Sequence, residues 1–295
     1  MKISIKPFGD DFATEITGLN IQEPLDDATR DEVISALDLY ATVVIRGEPV
    51  SEQAQINFAR RFGALDTING VLTTDIKRRV RPELTDASNM DAENNLFDLE
   101  DRRRLFNLGN RLWHTDSSFK RVAAKYSMLH AHTIVPDGGE TQICDLRAAY
   151  DALDEKMKLQ ITEMVAVHSI HTSRAILGFD DFSEEERLAL PPICRPLVRE
   201  HRGSGRKTLF LAAHAGQVLG LTMAEGRLLI RELMEHATQR KFIYTHKWRV
   251  GDLLIWDNRC TMHRVRPFNE ALHKRDMRRA TVMETKPGEV YEALN

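Results

Sequence analysis

The apolar positions of this chain change their spacing several times, and each change marks an element. Short runs at Ile3 to Ile5 and Ala13 to Ile16 predict strands with a Gly9-Asp10 turn between them. Asp26 or Asp27 can cap a helix in which Val33, Leu37 and Tyr40 share a face. The run Thr42-Val43-Val44-Ile45 then predicts a buried strand ended by Gly47. Ser51 can cap a second helix, with Ile56, Ala59 and Phe62 turned inward and Gly63 just past its end.

From Asp66 to Asn110 the periodicity fades into mixed charge and Asn-rich turns. So long an irregular stretch predicts an active-site lid or irregular segment at 66–110, inside one domain spanning 1–295. From Tyr126 onward short strands alternate with turns: Ser127 to Thr133, Gly139 to Cys144, Val165 to Ile170, Leu197 to Arg199, Thr208 to Ala212, Phe242 to His246, Asp252 to Trp256 and Arg279 to Met283. That pattern predicts a mostly β fold, a sandwich or jelly roll, with helical insertions. One insertion runs from Ala148 through Val165; the other starts at Thr222, which can form a capping box with Glu225.

Composition acts here mainly by exclusion. The chain has 295 residues, 42% hydrophobic and 29% charged, which fits an ordinary soluble globular protein with a substantial core. A formal net charge of -3 supplies no basic face for nucleic acid. The run Arg102-Arg103-Arg104 follows Glu100 and Asp101 and reads as a solvated or locally paired face. No apolar stretch approaches the roughly 20 residues that cross a bilayer, and the first residues lack the apolar core of a secretory leader. Neither nucleic acid nor membrane is therefore expected as a partner. Cys144, Cys194 and Cys260 form no C-x-x-C pair, so a reducing cytoplasm is expected, without a disulfide framework or cysteine zinc site.

Chemistry enters with Trp113-His114-Thr115-Asp116. In extended chain, residues two apart face the same way, so the imidazole and the carboxylate can converge on one ion. A second segment, Gly251 to Arg264, reads as a strand, a polar turn held by Asp257 and Asn258, and a returning strand that can set His263 opposite the first pair. Two histidines and one carboxylate leave three adjacent octahedral positions open, as a non-haem iron(II) oxygenase requires. The same trio could hold zinc in a hydrolase.

The motifs W-H-T-D, G-G-E-T, W-D-N-R-C-x-x-H and R-x-x-x-R-A-T, in this order across nearly the whole chain, resemble the taurine and 2,4-dichlorophenoxyacetate dioxygenase family. The resemblance implies a double-stranded β-helix (jelly roll) flanked by helices, and a homo-oligomeric enzyme using iron(II), 2-oxoglutarate and O2. It makes His114, Asp116 and His263 the metal ligands. Thr141 and Arg279 would bind the far carboxylate of 2-oxoglutarate, with Arg275 near its other end. The stretches around Ser117, Tyr126, Asp145, His201 and His214 are similar to the phenoxyacetate-degrading branch. Asn110, Ser117 and His214 would then face the substrate, with His214 near its carboxylate. His201 reads as a surface residue because Gly203 and Gly205 mark a turn, and Lys77, Arg78 and Arg79 are possible basic contacts in the 66–110 segment. The implied reaction hydroxylates an aryloxyalkanoate such as 2,4-dichlorophenoxyacetate next to its ether oxygen, giving a phenol and glyoxylate with succinate and CO2. Taurine or another alkylsulfonate as substrate, and a non-catalytic metal-binding β-sandwich, remain the alternatives.

Overall fold

A computed structural model describes residues 3–9, 12–67 and 77–284. Asp10 of the first turn and residues 68–76 of the 66–110 segment lie outside the described residues. The elements near the start follow the sequence reading closely. Asp26 caps the helix Asp27–Tyr40 through Thr29, and that helix is the crossover between the parallel strands Thr14–Thr17 and Thr42–Ile45. Ser51 caps Glu52–Arg60 through Ala54.

Two sheets carry the architecture. The larger has seven strands, with Leu253–Asp257 and Ala124–Thr133 at its centre and Asp276–Met283 alongside. The smaller pairs Thr141–Asp145 with both Ile243–His246 and Thr261–Val265. Side-chain alternation divides the interior into three layers. Leu129, Ala131, Leu254, Trp256 and Met277 of the large sheet meet Ile143 of the small one between the sheets. Met128, Leu253, Ile255 and Val282 point outward onto the helices carrying Val33, Leu37 and Ile56. Cys144 and Met262 do the same on the far side, against Leu229 and Leu233 of the helix Met223–Ala237. The arrangement is a double-stranded β-helix with helices over its outer faces.

The later boundaries differ from the sequence reading for identifiable reasons. The expected insertion from Ala148 to Val165 is two short helices, Leu146–Asp151 and Glu155–Ile161, because Asp154 caps a new start. The strand expected to reach Ile170 stops at His168, where the Ser169 side chain caps Ile170–Ala175. The run around Leu197 is two strands in different sheets, Ile193–Pro196 and Val198–His201. Within the 66–110 segment, the described residues form the strand Leu84–Asp86 and the helix Arg102–Asn107, followed by a 3-10 turn at Leu108–Arg111. The arginine run is locally paired: Arg102 with Asp181 and Glu186, Arg103 with Asp101, and Arg104 with Glu270. Among the described residues no helix is long and apolar enough to cross a membrane.

His201 corrects a sequence expectation. It is buried, and its Nε2 lies 3.0 Å from Asp257 Oδ2, because the turn marked by the two glycines begins only after it.

His168 is fully buried with Ser118 Oγ 3.1 Å from its Nδ1. Burial, reinforced by Arg195 and Arg199, pushes its pKa from 6.5 down to about 3. The unfolded chain therefore takes up a proton there as pH falls through 6.5, whereas the folded chain resists until about 3, so stability is lost on acidification across that window. Denaturant unfolding should show lower stability at about pH 5 than at about pH 7, and His168→Gln should remove close to one proton from that dependence. A variant that keeps the full pH slope would contradict this origin.

Candidate metal centre and cosubstrate cavity

The first two ligands are brought together by backbone. His114 N donates to the His263 carbonyl at 3.0 Å, and His263 N donates to the His114 carbonyl at 2.8 Å. Such a reciprocal antiparallel pair sets its two side chains on one face, and the imidazole centroids stand 4.1 Å apart. Trp256 packs 4.4 Å from the His263 ring and fixes its far side.

Asp116 follows His114 by two residues, at the start of the turn that leaves the His114–His263 bridge. Thr115 Oγ1 lies 2.9 Å from the carbonyls of both Leu211 and Thr261, between which its single proton is shared, and Ser117 takes a left-handed backbone with φ of 53°. Asn258 Oδ1 accepts from Asp116 N at 3.2 Å, while Asn258 Nδ2 donates to Ser127 Oγ at 2.9 Å. Ser127 Oγ in turn donates to Asp116 Oδ2 at 2.7 Å. Asn258 was legible as a turn brace. Ser127 was missed, though a hydroxyl at an inward position of an apolar strand is the signal that marks it.

The Leu112 carbonyl can only accept, so its 2.8 Å contact with His114 Nδ1 puts the proton on Nδ1 and leaves Nε2 as the donor atom toward a metal. His114 Nε2 lies 3.8 Å from Asp116 Oδ1 and His263 Nε2 lies 3.6 Å from Asp116 Oδ2. Ligand atoms of all three residues fall within 4.8 Å of one another. Burial holds both imidazoles below their ordinary pKa and hence neutral, although Asp116 opposes the shift. Burial alone would raise the Asp116 carboxyl, but the Arg279 guanidinium and the Ser127 hydrogen bond hold it well below the usual carboxylate range. Two neutral nitrogen donors and one ionised carboxylate fit a divalent cation with open positions.

A second trio, His201, Asp257 and Cys260, has similar spacing but different chemistry. Arg259 already grips Asp257, burial raises the Cys260 thiol, and the cluster is a brace for the turn.

A cavity, partly open to solvent, lies in front of the histidines. His114, His263, Thr141, Arg275, Arg279 and Asn110 are among its lining residues. Neither Ser117 nor His214 is among the described residues that line it. The His214 ring stands edge-on 6.0 Å behind His114, and its Nδ1 is 2.9 Å from Ser173 Oγ. Lys77 is engaged with Glu93, and Arg79 with Asp86 and Asp276.

The two cavity arginines differ. Arg279 Nη1 lies 2.6 Å from Asp116 Oδ1, at the metal site. Arg275 is buried beside Gly139, whose carbonyl it reaches at 3.2 Å, and no carboxylate of the described residues lies within ion-pair distance of it. Burial pushes its guanidinium down to about 10. The paired glycines make this approach possible, since a Cβ on Gly138 would stand 2.3 Å from the Pro267 carbonyl and one on Gly139 would press on Val135.

A double-stranded β-helix with this trio at its mouth and buried arginines in the cavity defines a non-haem iron oxygenase that takes an oxo acid. The chain belongs to the family described as taurine catabolism dioxygenase TauD, TfdA, whose model matches residues 4–281. It is 43% identical over 286 residues to an alpha-ketoglutarate-dependent 2,4-dichlorophenoxyacetate dioxygenase of Cupriavidus pinatubonensis, covering 96% of this chain and 99% of that one. A protein of the same description from a Burkholderia species is 44% identical, covering 92% and 91%. The crystal structure of AAD-2 in complex with Mn(II) and N-oxalylglycine superposes with a TM-score of 0.89 at 42% identity, covering 97% of this chain and 98% of that one. The chain is thus a 2-oxoglutarate-dependent dioxygenase with an iron(II) cofactor.

Removing the Ser127 hydroxyl frees an Asp116 oxygen and orphans Asn258 Nδ2. Calorimetric titration with Mn(II) should show Ser127→Ala binding roughly 10-fold more weakly than the native protein. Unchanged affinity would mean that this brace does not orient the carboxylate.

Proposed function

We propose that the protein hydroxylates an aryloxyalkanoic acid at the carbon next to the ether oxygen, releasing a phenol and, from an aryloxyacetate, glyoxylate. The observation that carries the catalytic reading is the convergence of His114, Asp116 and His263 on one point, facing a cavity that also holds a buried, carboxylate-free arginine. The likeness to two 2,4-dichlorophenoxyacetate dioxygenases over almost the whole chain favours the aryloxyalkanoate. So does a 34% identical (S)-phenoxypropionate dioxygenase of Sphingobium herbicidovorans.

Bound iron(II) with 2-oxoglutarate and O2 would supply the oxidising power for a C–H bond, with succinate and CO2 leaving. The protein's share is placement. His114, Asp116 and His263 would hold the ion. Arg275 and Thr141 would take the far carboxylate of 2-oxoglutarate, and Arg279 would act at the metal end beside Asp116. This exchanges the roles that the sequence resemblance implied for the two arginines, because Arg279 is already 2.6 Å from the metal-ligand carboxylate. Phe97, Phe268, Leu129 and Trp256 give the cavity apolar walls suited to an aromatic ring and to excluding water. Hydroxylation of the ether carbon gives a hemiacetal that collapses unaided, so no side-chain nucleophile is needed. We read the chain as one catalytic domain with the residues around Asn107 and Asn110 covering the cavity. It would work as a cytoplasmic homo-oligomer on a small carboxylate, with no part in nucleic-acid or membrane binding.

With iron(II), ascorbate, 2-oxoglutarate and 2,4-dichlorophenoxyacetate, the enzyme should release succinate and 2,4-dichlorophenol in equal amounts. Release of neither, or of sulfite from taurine instead, would overturn the substrate reading. Arg275→Gln should raise the 2-oxoglutarate needed for half-maximal rate by roughly 10- to 100-fold. An unchanged requirement would show that Arg275 does not hold the cosubstrate.

A further inference from the structure

We infer that Trp248 is a positioning residue for the cosubstrate: its indole N–H holds the Thr141 hydroxyl as a hydrogen-bond donor toward the far carboxylate of 2-oxoglutarate. The inference rests on the reading above that Thr141 and Arg275 take that carboxylate.

The strand Ile243–His246 runs antiparallel to Thr141–Asp145 and sets His246 directly opposite Thr141. Continuing that alternation, Trp248 turns to the same side, and, like Tyr244 and Ala87, it packs half-buried against the core layer between the sheets. Ala87 and Thr141 both line the cavity, and Arg275 Nη1 reaches the Ala87 carbonyl at 3.4 Å. Trp248 is not among the described residues that line the cavity, so it acts from behind Thr141 rather than on a ligand.

Trp248 Nε1 lies 3.3 Å from Thr141 Oγ1. An indole N–H can only donate, so the threonine oxygen accepts and its own proton is left for another partner. Among the described residues Thr141 Oγ1 makes no second hydrogen bond, although Thr141 keeps only 2% of its surface exposed. A buried hydroxyl that accepts without donating is half satisfied, and an acceptor in the cavity completes it. A carboxylate is such an acceptor. Accepting from the indole also polarises the hydroxyl and strengthens it as a donor. Without that N–H the hydroxyl is free to turn its lone pairs toward the carboxylate, and the grip weakens.

The indole is itself held in place. His246 stands edge-on to its ring, with centroids 4.4 Å apart and planes at 89°. The Asp252 carboxylate can only accept from His246 Nε2, at 3.0 Å, which leaves Nδ1 to accept from the Tyr244 hydroxyl at 3.1 Å. Asp252 is bound in turn by Arg46 and by the backbone N–H of Arg249 at 2.8 Å. Engaged through both nitrogens, the His246 ring cannot turn, and it fixes the indole beside it.

The test is calorimetric binding of N-oxalylglycine and of oxalate to protein loaded with Mn(II). Both can chelate the metal, but oxalate has no far carboxylate to reach Thr141. Trp248→Phe, which keeps an aromatic ring and removes the N–H, should weaken N-oxalylglycine roughly 3- to 10-fold and leave oxalate and Mn(II) unchanged. Thr141→Val should weaken N-oxalylglycine about tenfold, and Thr141→Ser should bind it as native protein does. Adding Trp248→Phe to Thr141→Val should cost less than about twofold more, because the indole acts through the hydroxyl. Native N-oxalylglycine affinity in Trp248→Phe, an equal loss of oxalate, or additive losses in the double variant would each overturn the inference and leave the Thr141 reading standing. Native affinity in Thr141→Val would instead sink the Thr141 reading and this inference with it. In native protein loaded with Zn(II), where no variant has to fold, N-oxalylglycine should slow hydrogen exchange of the Trp248 indole N–H at least about threefold more than oxalate does. Equal protection by the two ligands would also overturn the inference.

Discussion

The site depends on one constraint, the reciprocal backbone pairing of His114 with His263 across 149 positions of chain. A strand and a loop that share two hydrogen bonds cannot slide past each other, so two imidazoles are held side by side before any ion is considered. Around that pairing, Thr115 is pinned to two carbonyls and Asn258 and Ser127 fix the carboxylate. The sheet sandwich supplies the rest: odd-numbered residues of Ala124–Thr133 face inward, which puts Ser127 and Leu129 at the site and Met128 in the outer layer.

Charge is the second organising principle. The cavity and its surroundings hold more buried guanidinium than the protein's own carboxylates neutralise, and the cofactor's acids are the natural complement. The difference between Arg275 and Arg279 lies in what already surrounds each one: carbonyls and a glycine turn, or a metal-ligand carboxylate.

Much of this was legible beforehand. Helix caps at Asp26, Ser51 and Thr222 are local rules, and each acts as read. The trio and the buried Thr42–Ile45 strand were visible because motif spacing and apolar runs survive in one dimension. What could not be read was partnership across the fold. His201 looks like a turn residue until Asp257, 56 positions away, is placed beside it. The motif assigns Arg275 and Arg279 different ends of the cosubstrate, and their neighbours in the fold favour the reverse assignment.

The most direct measurement is a crystal structure of this protein with Mn(II) and N-oxalylglycine bound. The expected result is one ion held by His114, Asp116 and His263, with the distal carboxylate of the analogue on Arg275 and Thr141. An ion bound elsewhere, or His263 turned away from it, would contradict the central claim.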